Sequence, residues 1–173
     1  KKYNIINSSL EFNSMLEILD SSSMISFDLI FQDNDYKTKK INGISLSITK
    51  DSGWYIPLDK NHKDDFPDKS VITSIKNMLE NDQYNFCSQN IKNHSVVLSY
   101  YDIILNNTSY DIMLAEHLLV PDRTSYQLDF LSMDYCSYPM KFPNDFFKSN
   151  KHISSIFDMD INEQTFYCCE RSD

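Results

Sequence analysis

Glycine and alanine are nearly missing from this sequence of 173 residues: there are 2 Gly and one alanine, Ala115. Asn, Ile, Lys, Ser, Tyr and Phe stand in their place. Most of these have codons rich in A and T, so the bias reads as nucleotide drift, and a single Asn or Lys carries little information. Long apolar runs are also missing. No stretch approaches the roughly 18 consecutive apolar residues of a membrane span, and no basic-then-apolar signal segment opens the chain. No membrane association and a cytoplasmic location are the expectations. Positive charge is short: 16 Lys and Arg face 25 Asp and Glu, a net charge of −9. That balance disfavours strong stand-alone binding of nucleic acid, which draws on a basic face. Cys87, Cys136, Cys168 and Cys169 form no C-x-x-C pair, which argues against a zinc site and for reduced thiols.

What is present suits one packed domain over residues 1–173, with 41% hydrophobic and 24% charged residues. A chain opening at Lys1 and stopping at Asp173 is expected to be a piece of a longer protein. Ser8 and Glu11 form a capping box ahead of Phe12, Met15, Leu16 and Leu19 at helical spacing. Met24 to Phe31 is mostly apolar and suits a buried strand, with Asp28 in its middle. A carboxylate there needs a partner or a metal. Ile44, Leu46 and Ile48 alternate with Ser45, Ser47 and Thr49, the pattern of a half-buried strand, and Trp54 to Leu58 completes a hairpin. Asn61 to Lys69 reads as a loop. Val71, Ile72, Ile75, Met78 and Leu79 mark a helix face. Tyr84 to Cys87 reads as a strand, and Gln89 to Tyr101 as a helix.

Tyr110 to Leu119 reads as a helix with Met113, Leu114, His117 and Leu118 inward, His117 being a satisfied core histidine and Asp111 a helix cap. Leu128, Leu131 and Met133 suggest a short helix, Pro139 to Asn144 a loop, and Asn162 to Glu170 a last helix. Tyr100-Tyr101 and Phe146-Phe147 suit core packing better than base stacking, and Asp64-Asp65 a solvated loop. The order implies an α/β or α+β fold, a mixed sheet with helices on both faces.

These segments, in this order, resemble a family. Phe27-Asp28-Leu29-Ile30, running on to Gly43-Ile44-Ser45-Leu46-Ser47, looks like the first motif of the 3′–5′ exonuclease domain of bacterial family A DNA polymerases. There Phe-Asp-Thr-Glu continues to a Gly-Leu-Ser strand. Trp54-Tyr55-Ile56-Pro57-Leu58 is similar to the family's Tyr-(Ile/Val)-Pro strand, and Gln89-Asn90-Ile91-Lys92-Asn93-His94 to its Gln-Asn-(Leu/Ile)-Lys-Tyr-Asp. Tyr110-Asp111-Ile112-Met113-Leu114-Ala115 resembles Phe-Asp-Thr-Met-Leu-Ala, and Leu128-Asp129-Phe130-Leu131 resembles Leu-Asp-x-Leu. Tyr167-Cys168-Cys169-Glu170-Arg171-Ser172-Asp173 looks like Tyr-Ala-Ala-Glu-Asp-Ala-Asp. The resemblance spans about Met24 to the end.

The resemblance implies a ribonuclease H-like (DnaQ-like) α/β fold with a mixed five-stranded sheet. It implies a polymerase domain of the same chain as partner, DNA reached through the full-length protein, and a monomer. It also implies a site where carboxylates hold two Mg²⁺ or Mn²⁺ ions that activate a water, with a tyrosine orienting it. At the matching positions this chain keeps Asp28 and Tyr167, but has Ile30, His94 and Arg171 where the family has Glu, Asp and Asp. Asn90 is retained as a weak candidate for contacting DNA. Asp28 is then the only retained ligand, and no metal is expected.

The leading reading is a silent proofreading domain acting as a scaffold, with Arg171 replacing the metal as counter-ion of Asp28 and His94 as an ordinary, partly buried histidine nearby. One alternative is a weak or altered nuclease using Asp28, His94, Tyr167 and a shifted Glu170. The other is a module that holds DNA without cutting it.

Overall fold

The computed structural model describes residues 1–31, 40–58, 66–141 and 155–173. Six strands form one sheet: β1 (Lys2–Ile5), β2 (Met24–Phe31), β3 (Ile41–Ser47), β4 (Ser52–Pro57), β5 (Asn85–Ser88) and β6 (Thr108–Asp111). Their order across the sheet is β1-β4-β3-β2-β5-β6. The meander β2-β3-β4 is antiparallel, while β1 runs parallel to β4, and β5 and β6 run parallel on the other side of β2. The sheet is therefore mixed, as expected, but has six strands rather than five. β1 carries no apolar run; it forms because Tyr3 and Asn4 pair alongside Gly53 and Trp54. Part of the expected helix over Tyr110 to Leu119 is also strand, with β6 ending at Asp111 and the helix starting at Ile112.

The helices are α1 (Ser9–Leu19), α2 (Lys69–Leu79), α3 (Ile91–Ser99), α4 (Ile112–Leu119), α5 (Leu128–Cys136) and α6 (Ile161–Ser172), with a 3₁₀ turn at Ile156–Asp158. α1 starts as its capping box dictates. Ser8 accepts a hydrogen bond from the Glu11 backbone N–H at 3.3 Å, and the Glu11 carboxylate accepts one from the Asn7 N–H at 3.0 Å. One face of the sheet is covered by the main core, which joins Phe12, Met15 and Leu19 of α1, Val71, Ile75, Met78 and Leu79 of α2, and Leu98 of α3 to Phe27, Ile44, Leu46 and Phe86. Ile72 is an exception to its expected stripe and is exposed.

α6 covers the other face, where Tyr167, Cys168 and Cys169 pack on Ile30 and Tyr55. This second cover corrects the half-buried reading of β3. Ser45 and Ser47 are as buried as Ile44 and Leu46. The alternation in sequence separates a large-residue face from a small-residue face, not core from solvent. Both glycines serve the small face. A Cβ on Gly43 would meet the Tyr55 ring at 2.5 Å, and one on Gly53 would meet Cys169 Cβ at 3.2 Å.

Asp28 and Ile30 point to this α6 side, alternating with Phe27 and Leu29. Tyr100, Tyr101 and His117 lie on the surface rather than in the core. Asp64-Asp65, Phe146-Phe147 and the second half of the Pro139 to Asn144 loop lie outside the described residues. All four cysteines are free thiols. No helix among the described residues is long and apolar enough to cross a membrane.

Candidate functional site

The centre of the candidate site is the middle of β2. Asp28 is 6% exposed and aims its carboxylate between the last turn of α6 and the first turns of α3. From α6, Arg171 Nε donates to Asp28 Oδ2 at 2.7 Å, and its side chain remains 30% exposed. From α3, His94 Nε2 lies 3.1 Å from the other oxygen, Oδ1. The pair expected between Asp28 and Arg171 is therefore present in the geometry. Burial pushes the Asp28 carboxyl up, but the Arg171 guanidinium and His94 outweigh it and hold the group below its ordinary value. Arg171 responds in kind: burial would lower its value, yet the facing carboxylate leaves it raised.

His94 is fully buried rather than partly buried. Its ring lies 5.3 Å from that of Phe27 and 6.4 Å from that of Phe31. Its Nδ1 lies 3.1 Å from Ser88 Oγ, and Ser88 donates its single hydroxyl hydrogen to the Phe27 carbonyl at 2.6 Å. The ring thus bridges Ser88 on one side and the Asp28 carboxylate on the other, with Nε2 placed to donate to Oδ1. Ser88 was silent in the sequence: nothing in Phe86-Cys87-Ser88 marks a serine as the partner of a histidine six residues on.

The remaining motif residues take defined places. Asn90 has a left-handed backbone, φ 60°, and caps α3 by accepting from the Asn93 N–H at 3.4 Å. That corner is held by Asp111, which accepts from the N–H groups of Asn90 at 3.2 Å, Ile91 at 2.8 Å and Leu114 at 3.1 Å. One carboxylate therefore caps both α3 and α4, more than the single cap expected of it. Tyr167 sits one turn before Arg171, whose guanidinium carbon is 5.8 Å from its ring centre, and burial raises the phenol. Ile30 fills the floor with no donor atom to offer.

Glu170 and Asp173 face elsewhere. Glu170 accepts from the Tyr138 hydroxyl and from the Lys141 N–H at 3.1 Å. Asp173 accepts from Tyr3 at 2.7 Å and from the Asp51 N–H at 2.6 Å. Among the described residues no group of three or more His, Cys, Asp and Glu side chains is gathered to hold a metal ion. Beside Asp28 lies a cavity of about 670 Å³ whose lining includes Asn90, Asn93, Tyr126, Gln127, Asp129 and Tyr167.

A mixed sheet centred on an acidic β2, with the C-terminal helix bringing a Tyr and its fourth-following residue over that acid, defines a ribonuclease H-like fold of the exonuclease type. The chain belongs to the 3′–5′ exonuclease family of family A DNA polymerases, whose family model matches residues 3–168. It is 26% identical over 178 residues to DNA polymerase I of Borreliella burgdorferi, covering 99% of this chain and 18% of that relative. The chain thus spans about a fifth of the length of the curated relative it matches. Among solved structures, RNase D of Escherichia coli, an exoribonuclease, superposes with TM-score 0.71 at 13% identity over 99% of this chain and 42% of that one. The catalytic core of RRP6 from Trypanosoma brucei gives 0.68 at 10% identity over 98% and 42%. Pol1 of M. smegmatis gives 0.66 at 15% identity over 80% and 23%. At these identities the structures speak for the fold alone.

Proposed function

We propose that this is the proofreading-type domain of a bacterial DNA polymerase I whose nuclease site no longer hydrolyses DNA, and that it persists as structural support for the DNA-synthesising part of the same polypeptide. The observation that carries this reading is the occupation of Asp28. Both of its oxygens are taken by side-chain donors, Arg171 Nε at 2.7 Å and His94 Nε2 at 3.1 Å. Two divalent ions demand several hard oxygen ligands whose negative charge offsets theirs. Here the nearest groups are a guanidinium, an imidazole held against the carboxylate and an isoleucine. The residues present do not fit a two-metal centre, and no hydrolytic step is derived through one.

The altered-nuclease reading needs Glu170 as a substitute ligand, and its carboxylate is engaged by Tyr138 and Lys141. The non-cutting DNA module keeps one observation in its favour. The cavity is still there, and two acceptors lining it, Gln89 Oε1 and Asp129 Oδ2, are buried with no hydrogen-bond partner. The net charge of −9 weighs against it.

The test is incubation of the full-length protein with end-labelled single-stranded DNA and Mg²⁺ or Mn²⁺, beside an active family member. Shortening no greater than that of an Asp28→Asn variant is expected. Metal-dependent release of 3′ nucleotides that the Asp28→Asn change abolishes would overturn the proposal. A low-salt mobility shift that Gln127→Ala removes would favour the DNA module.

A further inference from the structure

Helix α4 is built inside out. Its one buried side chain is Glu116, 4% exposed, whereas Leu114, Leu118 and Leu119 are 54%, 74% and 75% exposed. The sequence pattern had placed Leu114 and Leu118 inward, and the reason for the reversal is visible. Glu116 Oε2 accepts from the Tyr135 hydroxyl at 2.8 Å, and Oε1 lies 2.6 Å from Arg123 Nε, too bent for a hydrogen bond but a close ion pair. Arg123 in turn donates to Asp134 at 2.7 Å. Rolling α4 to bury its leucines would strand this carboxylate away from its partners. The leucines are thus held outward by a polar lock between α4 and α5.

Leu114 and Leu118 lie one turn apart and share the outer face of α4, and Tyr110, at the end of β6, is exposed just before it. Phe130 and Met133 of α5 are about half exposed. Of the 16 exposed large apolar residues among those described, 8 fall between residues 110 and 135, so the apolar surface described is concentrated on this helix pair.

We propose that the outer face of α4 is the surface on which the polymerase portion of the longer chain docks, presenting an apolar patch with a basic rim. This rests on the reading of the domain as part of such a chain. Three observations select that occupant. Most of the Borreliella relative's polypeptide lies outside the region that matches this domain, whose share is 18%. Residues 110–136 contain Asp111, Glu116, Asp122, Asp129 and Asp134 against the single cation Arg123, so the complementary rim is basic. Finally, α5 leads into Tyr138, whose ring lies 3.9 Å from Lys1 Nζ and whose hydroxyl donates to Glu170. Residues Lys1 and Glu170 thus lie near the C-terminal end of α5, so segments joined there are held close to it at high effective concentration. Interfaces of this kind within one chain are typically more polar than obligate ones, and an apolar stripe with a charged border suits them.

The test is the full-length chain carrying Leu118→p-benzoylphenylalanine, irradiated and mapped by mass spectrometry. Because position 118 is exposed, the substitution leaves folding intact. Cross-links to peptides of the same chain outside residues 1–173 are expected, with none from the same probe at Ile72 on α2. Cross-links confined to residues 1–173, cross-links joining two copies, or no cross-link at all would overturn the docking proposal. In the full chain, Leu114→Glu with Leu118→Glu is expected to split one calorimetric transition into two; a single unchanged transition counts against the proposal. The nuclease assay separates the two claims. Nuclease activity alongside these cross-links would sink the silent-site reading alone, and silence without cross-links would sink the docking alone.

Discussion

Asp28 shows how far a single side chain can be read. That a charge on a buried strand needs a partner follows from solvation alone, and Arg171, at the matching position in the last helix, is the cation the sequence offers for it. The same matching places His94 nearby, but what anchors it is not legible: Ser88, 3.1 Å from its other ring nitrogen, is one serine among many and carries no signal. Arg171→Met leaves Asp28 buried with half its compensation. It is expected to cost about 3 kcal/mol, the low end for breaking a buried pair, since Arg171 keeps 30% of its side chain exposed. Asp28→Leu combined with Arg171→Met is expected to cost less than Arg171→Met alone. Denaturant midpoints of the four proteins check this, and additive costs would refute the pairing. The sign of the pH effect follows from the same pair. Arg171 and His94 hold the native Asp28 carboxyl below its unfolded value despite burial, so its contribution is present above about pH 4 and lost as the pH falls through the depressed native value. Urea midpoints taken on acidification should fall less steeply for Arg171→Met than for the parent; equal slopes would contradict the assignment.

At the scale of elements, periodicity worked where one helix or strand meets one neighbour and failed where two surfaces competed. α1 was readable because its cap and its stripe are local. β3 was misread because serine usually means water, whereas here it means a helix close overhead: α6 lies so near that Gly53 leaves 3.2 Å for a Cβ against Cys169. β1 and β6 are four residues each and exist through pairing with distant strands, information no local window holds. α4 was turned the wrong way because its polar lock joins Glu116 to Arg123, Asp134 and Tyr135, beyond its own eight residues. Asp111 ties two of these elements together by accepting three backbone hydrogen bonds. Asp111→Ala removes the cap of α4 and the two bonds to the start of α3, leaving α3 only its Asn90 cap. It should cost about 2 kcal/mol, the upper end for one cap, with faster amide exchange at Asn90, Ile91 and Leu114. A loss confined to Leu114 would mean that α3 does not depend on this carboxylate.

For the molecule as a whole, the same sequence supports a family membership that covers nearly its full length and a centre in which Asp28 is met by Arg171 and His94. The scaffold is intact: the sheet order, the left-handed corner at Asn90, the Tyr167 helix and the cavity beside β2 all remain. At Asp28 a guanidinium and an imidazole stand against the one acid. The most direct test of the central claim is anomalous diffraction from crystals soaked in Mn²⁺. The expected map has no manganese peak at Asp28 and Arg171 Nε still within hydrogen-bonding distance of Oδ2. A manganese ion bound to the Asp28 carboxylate, with Arg171 swung away, would contradict the account.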